Sequence, residues 1–185
     1  MARVACRNEA QVALGPGGRR PRLQQVQAVE ILVSRASVEQ AGELLTVQRA
    51  AYLSEAQRYG DPFLPPLTQP LAEIVADVRA GRRLVALRGP RVVGSVRGER
   101  RSDVLHVGRL AVAPDQQGHG IGRRLLRAVE ELAGPRVTRC ALFTGADSDD
   151  NLRLYEDLGY RRVGNESLPQ GPGLVHLEKP LASKT

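Results

Sequence analysis

Between Arg109 and Leu126 the sequence reads RLAVAPDQQGHGIGRRLL. An alternating apolar run ends at Pro114, glycines stand at positions 118, 120 and 122, and a helical pattern follows. A helix that starts directly after glycines presents unpaired N–H groups and the positive end of its dipole. Backbone without Cβ atoms can also close around an anion, so the stretch has the chemistry of a phosphate cradle. Spacing rules out two common owners. In the dinucleotide pattern G-x-G-x-x-G counted from Gly118, the third glycine falls on Arg123, and no Gly-Lys-Ser/Thr follows as a P-loop requires. The same glycines would equally serve a turn that lets strand and helix pack closely. Two further side chains are worth marking by type: His106, an imidazole four residues before Leu110, and Tyr155, a phenol that is neutral at pH 7. Each has a plain structural alternative, as a half-buried strand histidine and as a core aromatic beside Leu152 and Leu158. Cys6 and Cys140 lack metal-ligand spacing and read as free thiols in a reducing, cytoplasmic compartment, with no metal expected.

These residues need elements to hold them. EILVSRA (30–36) reads as a strand, SVEQAGELLTVQRAAYLSEA (37–56) as a helix, and YGDPFLPPLTQP (59–70) as a turn-rich break. LAEIVADVRAG (71–81) resumes a helix closed by Gly81, and RLVALRG with RVVGSVRGER forms a hairpin. VLHVGRLAVAP is the next strand, and strict alternation puts Val104, His106, Gly108, Leu110 and Val112 on one face. GIGRRLLRAVEELAG is a strongly patterned helix with Ile121, Leu125, Val129 and Leu132 as its stripe. RVTRCALFTG is a strand, SDDNLRLYEDLGY a short helix with Ser148 as its cap, and two closing strands flank PQGPG. The order is that of an α/β (mixed α+β) domain: one mixed, mostly antiparallel sheet of about seven strands with about four helices.

Composition bounds the partners. Length and a 42% hydrophobic content fit one globular domain, placed at residues 29–182. The net charge is +7, but five arginines against Glu9 give residues 1–28 a charge of +4, leaving +3 for the patterned part. That first segment, rich in Gly, Pro and Arg, reads as a disordered basic tail. Without aromatics or a patterned basic helix it does not point to nucleic acid. No apolar run approaches the roughly 20 residues of a membrane span, and the amino terminus lacks a secretory pattern, so no membrane partner is expected.

The motif spacing resembles a known family. Gln117-x-x-Gly120-x-Gly122 after Leu110-Ala111-Val112-x-Pro114 is similar to the acetyl-CoA pyrophosphate loop of the GNAT superfamily of N-acetyltransferases. Asn151-Leu-Arg-Leu-Tyr155-Glu-Asp-Leu-Gly159-Tyr160, 33 residues from Gly122 to its tyrosine, resembles that family's second motif. The resemblance covers all but the tail, and it implies acetyl transfer from acetyl-CoA to a primary amine by direct attack in a ternary complex. A catalytically silent CoA-binding module is the alternative. Leu110, Ala111 and Val112 would border the pantetheine arm along the strand. Gln117, Gly118, His119, Gly120, Ile121 and Gly122 would hold the pyrophosphate, with Arg123 or Arg124 toward the ribose phosphate. Where the family often has asparagine seven positions before the tyrosine this chain has Ser148, and Asn151 is the substitute contact. Tyr155 would be the acid for the leaving sulfur and His106 the base, with Glu99 as second choice. The acceptor amine, a small molecule or a protein amino group, would meet Tyr52, Glu55, Tyr59 and, beside them, Asp61. The partner expectations also admit a homodimer.

Overall fold

The computed structural model describes residues 30–167 and 173–182. The basic tail, Cys6 and most of PQGPG lie outside the described residues. Chain order is β1 (Ile31–Arg35), a 3-10 turn (Val38–Gln40), α1 (Ala41–Tyr59), α2 (Pro65–Thr68), α3 (Leu71–Arg79), β2 (Arg83–Arg88), β3 (Arg91–Arg101) and β4 (Val104–Val112). A second 3-10 turn (Pro114–Gln116), α4 (Ile121–Glu130), β5 (Arg139–Gly145), α5 (Asp149–Asp157), β6 (Arg161–Glu166) and β7 (Leu174–Pro180) complete it. The seven strands make one sheet in the order β1-β2-β3-β4-β5-β7-β6, antiparallel except where β4 meets β5.

Local chemistry sets the element ends. Ser37 and Gln40 close a capping box ahead of α1, with the Ser37 N–H donating to Gln40 Oε1 at 2.9 Å. Gly60, at φ +63°, stops α1 in the left-handed conformation. The proline-rich break contains a single helical turn, α2, which the sequence reading left irregular. Pro65 and Pro66 occupy its first positions, where a missing N–H costs nothing.

Helices cover both sheet faces. On one, α4 and α5 bury Ile121, Leu125, Val129, Leu152 and Tyr155 against Leu84, Leu105, Val107 and Leu142. On the other, Leu44, Val47, Ile74 and Val78 of α1 and α3 pack on Val85 and Val92. Close approach of α4 depends on Gly98, where a Cβ would fall 2.6 Å from Val129 Cγ2.

Strict alternation along β4 does not hold. Ser95 pairs with Ala111 and Arg97 with Gly108, so Val96 alone faces both Arg109 and Leu110. This β-bulge puts Arg109 at φ +53° and shifts the pleat by one residue. Leu105 and Val107 before it, and Leu110 and Val112 after it, consequently all face the α4 side. His106 and Gly108, paired with Glu99 and Arg97, face the α1 side. The expectation that His106 shares a face with Leu110 is therefore corrected.

Candidate active site

Parallel pairing between β4 and β5 lasts three residues, Val104↔Arg139, Leu105↔Cys140 and His106↔Ala141, after which the strands diverge. The gap between them opens into a cleft of about 520 Å³ lined by β4, the glycine loop, α1 and α5. Ala113 N–H donates to Val93 O at 2.9 Å. By the antiparallel alternation Ala111 then also faces β3, leaving the backbone groups of Leu110 and Val112 directed into the gap. Val112 O already accepts from Gln117 Nε2 at 3.2 Å, which ties the loop to the strand it follows.

The loop is anchored at its start and open at its centre. Arg91 forks onto Asp115 at 2.7 and 2.9 Å and Arg88 Nη1 donates to Gln116 Oε1 at 2.7 Å, fixing the 3-10 turn on the β2–β3 hairpin. Hydrogen bonds from Arg91 and Gln116 hold the Asp115 carboxyl well below the usual carboxylate range. Gly118 and Gly120 take φ of +77° and +73°, and a Cβ on either would meet no protein atom within 4 Å. Their conformation, with the space left around them, forms a cradle that other residues would strain and narrow. Gly120 is the N-cap of α4 and supplies no side-chain cap, so the first N–H groups of α4 are free for an anion. This donor set fits a diphosphate.

The other candidate cofactor contacts divide. Gln117, Gly118, Gly120, Ile121, Gly122, Arg123, Ser148 and Asn151 line the cleft, as do Leu110, Ala111 and Val112. His119 turns inward on its own loop, with Nδ1 2.9 Å from Gln117 O and 3.3 Å from Gln116 O. Arg123 reaches Asp157 at 2.9 Å, and Arg124 donates to Ile31 O at 3.2 Å. Ser148 stands at the head of α5 without capping it. Its Oγ pairs instead with Tyr59 Oη at 2.8 Å.

Across the cleft, α1 is latched to α5. Arg58 Nη1 donates to Asp147 O at 2.7 Å, and Asn151 Nδ2 donates to Glu55 Oε1 at 2.9 Å. Burial raises the Glu55 carboxyl above its ordinary pKa, opposed by the Asn151 hydrogen bond and the Arg58 charge. Burial likewise pushes the Tyr52 phenol up to about 12, with Glu55 adding to the effect. Tyr155 is 7% exposed and stacks edge-on with Tyr160, ring centroids 6.0 Å apart. Its pKa is raised far beyond the ordinary phenol range, first by desolvation and then by the neighbouring Tyr52 and Glu55. The structure therefore gathers Tyr155, Tyr52, Glu55 and Asn151 at one place, and Tyr155 keeps its proton there.

His106 is exposed on the α1 side, at the last β4–β5 pair, where the gap begins. Glu99, opposite it on β3, is bound by Arg101 at 2.8 Å and by Arg97 at 3.0 Å. Burial raises this carboxyl's pKa, but those two arginines outweigh it and hold the group below its ordinary value. Such a neutralised carboxylate is a poor base. Asp61 is drawn away as a turn residue, accepting from Phe63 N–H at 2.8 Å. Sequence reading missed Leu154 and Asp150 as lining residues. Leu154 follows α5's helical period and was within reach of pattern reasoning, whereas the contact of Arg58 with Asp147 O joins positions 89 apart.

Comparison with known proteins bears on the family and the fold. The model of the acetyltransferase (GNAT) family matches residues 49–160. UPF0157 protein YqkA of Bacillus subtilis is 28% identical over 133 residues, covering 71% of this chain and 37% of its own length. N-alpha-acetyltransferase RimI of Mycobacterium tuberculosis is 35% identical over 123 residues, covering 63% of this chain and 73% of its own. The chain thus spans well under half of the first relative. In fold it is similar to PaiA N-acetyltransferase from Thermoplasma acidophilum in complex with coenzyme A, with a TM-score of 0.72 at 15% identity over 82% of this chain and 99% of that one.

Proposed function

The chain belongs to the acetyltransferase (GNAT) family, and from that premise we propose that it moves an acetyl group from acetyl-CoA to a primary amine, with both substrates bound together. The observation that carries this reading is the early divergence of β4 from β5 beside an uncapped, glycine-led helix start. Acetyl-CoA supplies the activated thioester. The protein's own groups do the rest. N–H groups from Gln117 to Gly122 hold the diphosphate, and the backbone of Leu110 and Val112 lines up the arm in the gap. Transfer forms an N–C bond at the acceptor and breaks the C–S bond.

Two proton movements accompany that exchange. Glu55 attracts the ammonium form of the acceptor. His106, on the same α1-facing side, receives the proton that the ammonium must lose before its nitrogen can attack. Tyr155 Oη passes a proton to the departing sulfur and regains one from the acylated nitrogen, which sheds its second proton as the C–S bond breaks; its raised pKa keeps it protonated before and after the exchange. A screen of amines with acetyl-CoA, read as released thiol, tests the reaction. Tyr155→Phe in the same assay should lower kcat by about 10- to 1000-fold while leaving acetyl-CoA affinity unchanged. Binding without thiol release from any amine would identify a silent CoA-binding module. Equal turnover by the variant would make Tyr155 a packing residue.

A further inference from the structure

The cleft lies at the end of the sheet where β4 and β5 part. Toward the other end, where they are still paired, a second cavity of about 200 Å³ opens among Arg35, Arg82, Gly98, Arg100, Leu105 and Leu132. It shares no lining residue with the cleft. On β4 the two are separated by the five residues from Leu105 to Leu110, roughly 16 Å of strand.

Strand pairing puts the arginines there. Arg35 ends β1 opposite Leu84, and Arg100 stands on β3 opposite Leu105. Both leucines belong to the core beneath α4. Partners across an antiparallel pair project to the same side, so Arg35 and Arg100 rise on the α4 side too. Arg82 precedes β2, and its carbonyl accepts from Gly98 N–H at 2.8 Å. Glycines fix where two of the guanidinium groups rest. Arg35 Nη1 lies 2.8 Å from where a Cβ on Gly81 would fall, and Arg100 Nη1 3.1 Å from that of Gly134. Arg35 donates to Gly81 O at 3.1 Å, which uses one of its five N–H donors.

The neighbouring carboxylates are committed elsewhere. Asp77 is held by Arg97 at 2.8 Å and Arg83 at 3.3 Å, and Glu99 by Arg101 at 2.8 Å and Arg97 at 3.0 Å. Arg82 reaches them only at 3.7 and 3.6 Å. Among the described residues Arg35 and Arg100 form no ion pair. The three arginines that line the cavity are thus the ones with the longest ion-pair contacts or none.

We propose that this cavity binds a phosphate group, carried by the free ion or by a small phosphomonoester. Cations gathered around one space repel each other, and an anion set between them replaces that repulsion with attraction. Guanidinium forks match phosphate geometry. A phosphomonoester offers three acceptor oxygens, one for each arginine, where a carboxylate has two. At less than half the volume of the cleft, the cavity suits a phosphate group and not a whole coenzyme. The inference stands apart from acetyl transfer, because none of these residues has a role in it.

The test is calorimetric titration of the full chain with inorganic phosphate and with glycerol phosphate, at an ionic strength held constant with chloride. Both probes should bind at millimolar concentrations or below. Arg35→Gln and Arg100→Gln should each weaken binding by at least about tenfold, the scale of a lost charge-assisted hydrogen bond. Melting temperature without phosphate should stay close to the parent's in both. Arg100→Lys keeps the charge without the fork and should retain part of the affinity, which a purely structural role would not produce. Gly120→Glu, in the glycine loop of the cleft, should bind both probes as the parent does. Tighter binding of the free ion assigns the cavity to inorganic phosphate, and tighter binding of the ester assigns it to the phosphate end of a larger ligand. Failure of both probes to bind overturns the proposal, as does binding that both glutamine variants keep. Loss of binding in Gly120→Glu alone would move the phosphate to the cleft and overturn it equally.

Discussion

The two sides of the cleft are built from different materials. On the α4 side the binding groups are backbone: glycines at positive φ, free N–H groups at a helix start, and a strand edge left unpaired. On the α1 side the groups proposed to meet the acceptor are side chains: Tyr52 and Glu55 line the cleft from α1, and His106 stands on β4 where the strands begin to part. Backbone donors recognise whatever carries a diphosphate and change little with substitution nearby. Side-chain groups can be exchanged one at a time. On the function proposed above, the contrast teaches that a nucleotide end would be fixed by the fold, while an acceptor end would be set by a handful of residues.

The largest expected effect comes from breaking the backbone side. Gly120→Glu must adopt a left-handed conformation, costing roughly 1–2 kcal/mol, and it places a carboxylate where phosphate charge would sit. Acetyl-CoA affinity should fall by at least about 100-fold by calorimetry, each tenfold being about 1.4 kcal/mol. Gly120→Asn separates the two causes, since asparagine tolerates positive φ and adds no charge. It should lose far less. Unchanged affinity in Gly120→Glu would remove the loop from the binding site.

On the side-chain side the proton route is the point to break. A base that is already protonated cannot accept the acceptor's proton, so kcat/KM should fall as pH drops. His106→Gln should abolish that limb and lower the rate by about 10²- to 10⁴-fold, with acetyl-CoA affinity unchanged. Glu55 offers a different signature. Burial raises its pKa, so it becomes neutral at a higher pH than an ordinary carboxylate, and attraction for an ammonium is lost as pH falls. Glu55→Gln should therefore act on the acceptor KM. An acidic limb in kcat that survives His106→Gln and vanishes in Glu55→Gln would transfer the base role to Glu55.

The same division governs what could be read from the chain. The glycine-led turn before α4, the helix that carries Tyr155 and the seven strands were legible because each writes a local signature: spacing of Gly118, Gly120 and Gly122, a helical period around Tyr155, alternation in strands. The bulge at Arg109 was not legible. One extra residue in RLAV looks like any other strand residue, yet it reversed the facing of everything before it relative to Leu110. The latch between Glu55 and Asn151 joins positions 96 apart and leaves no local trace.

A further link between the two helices, from Tyr59 to Ser148, provides the smallest effect and the finest comparison. Tyr59 Oη and Ser148 Oγ, 2.8 Å apart, join the end of α1 to the head of α5 in a half-buried setting. Gly145 leaves room for the ring, as a Cβ there would collide with it. Tyr59→Phe deletes the hydroxyl and nothing else, and the freed Ser148 Oγ lies at the cleft wall. The net loss should be about 0.5–1.5 kcal/mol of stability, seen as a melting temperature lower by a few degrees in a domain of this size. If this link only holds α1 in place, acceptor KM should change by less than about threefold, and acetyl-CoA affinity should not change at all. A tenfold rise in acceptor KM at normal stability would show that the position of α1, and not the side chains alone, sets acceptor choice. A tenfold loss of acetyl-CoA affinity would show that Ser148 depends on Tyr59 to meet the cofactor, joining the two sides that the fold otherwise keeps apart.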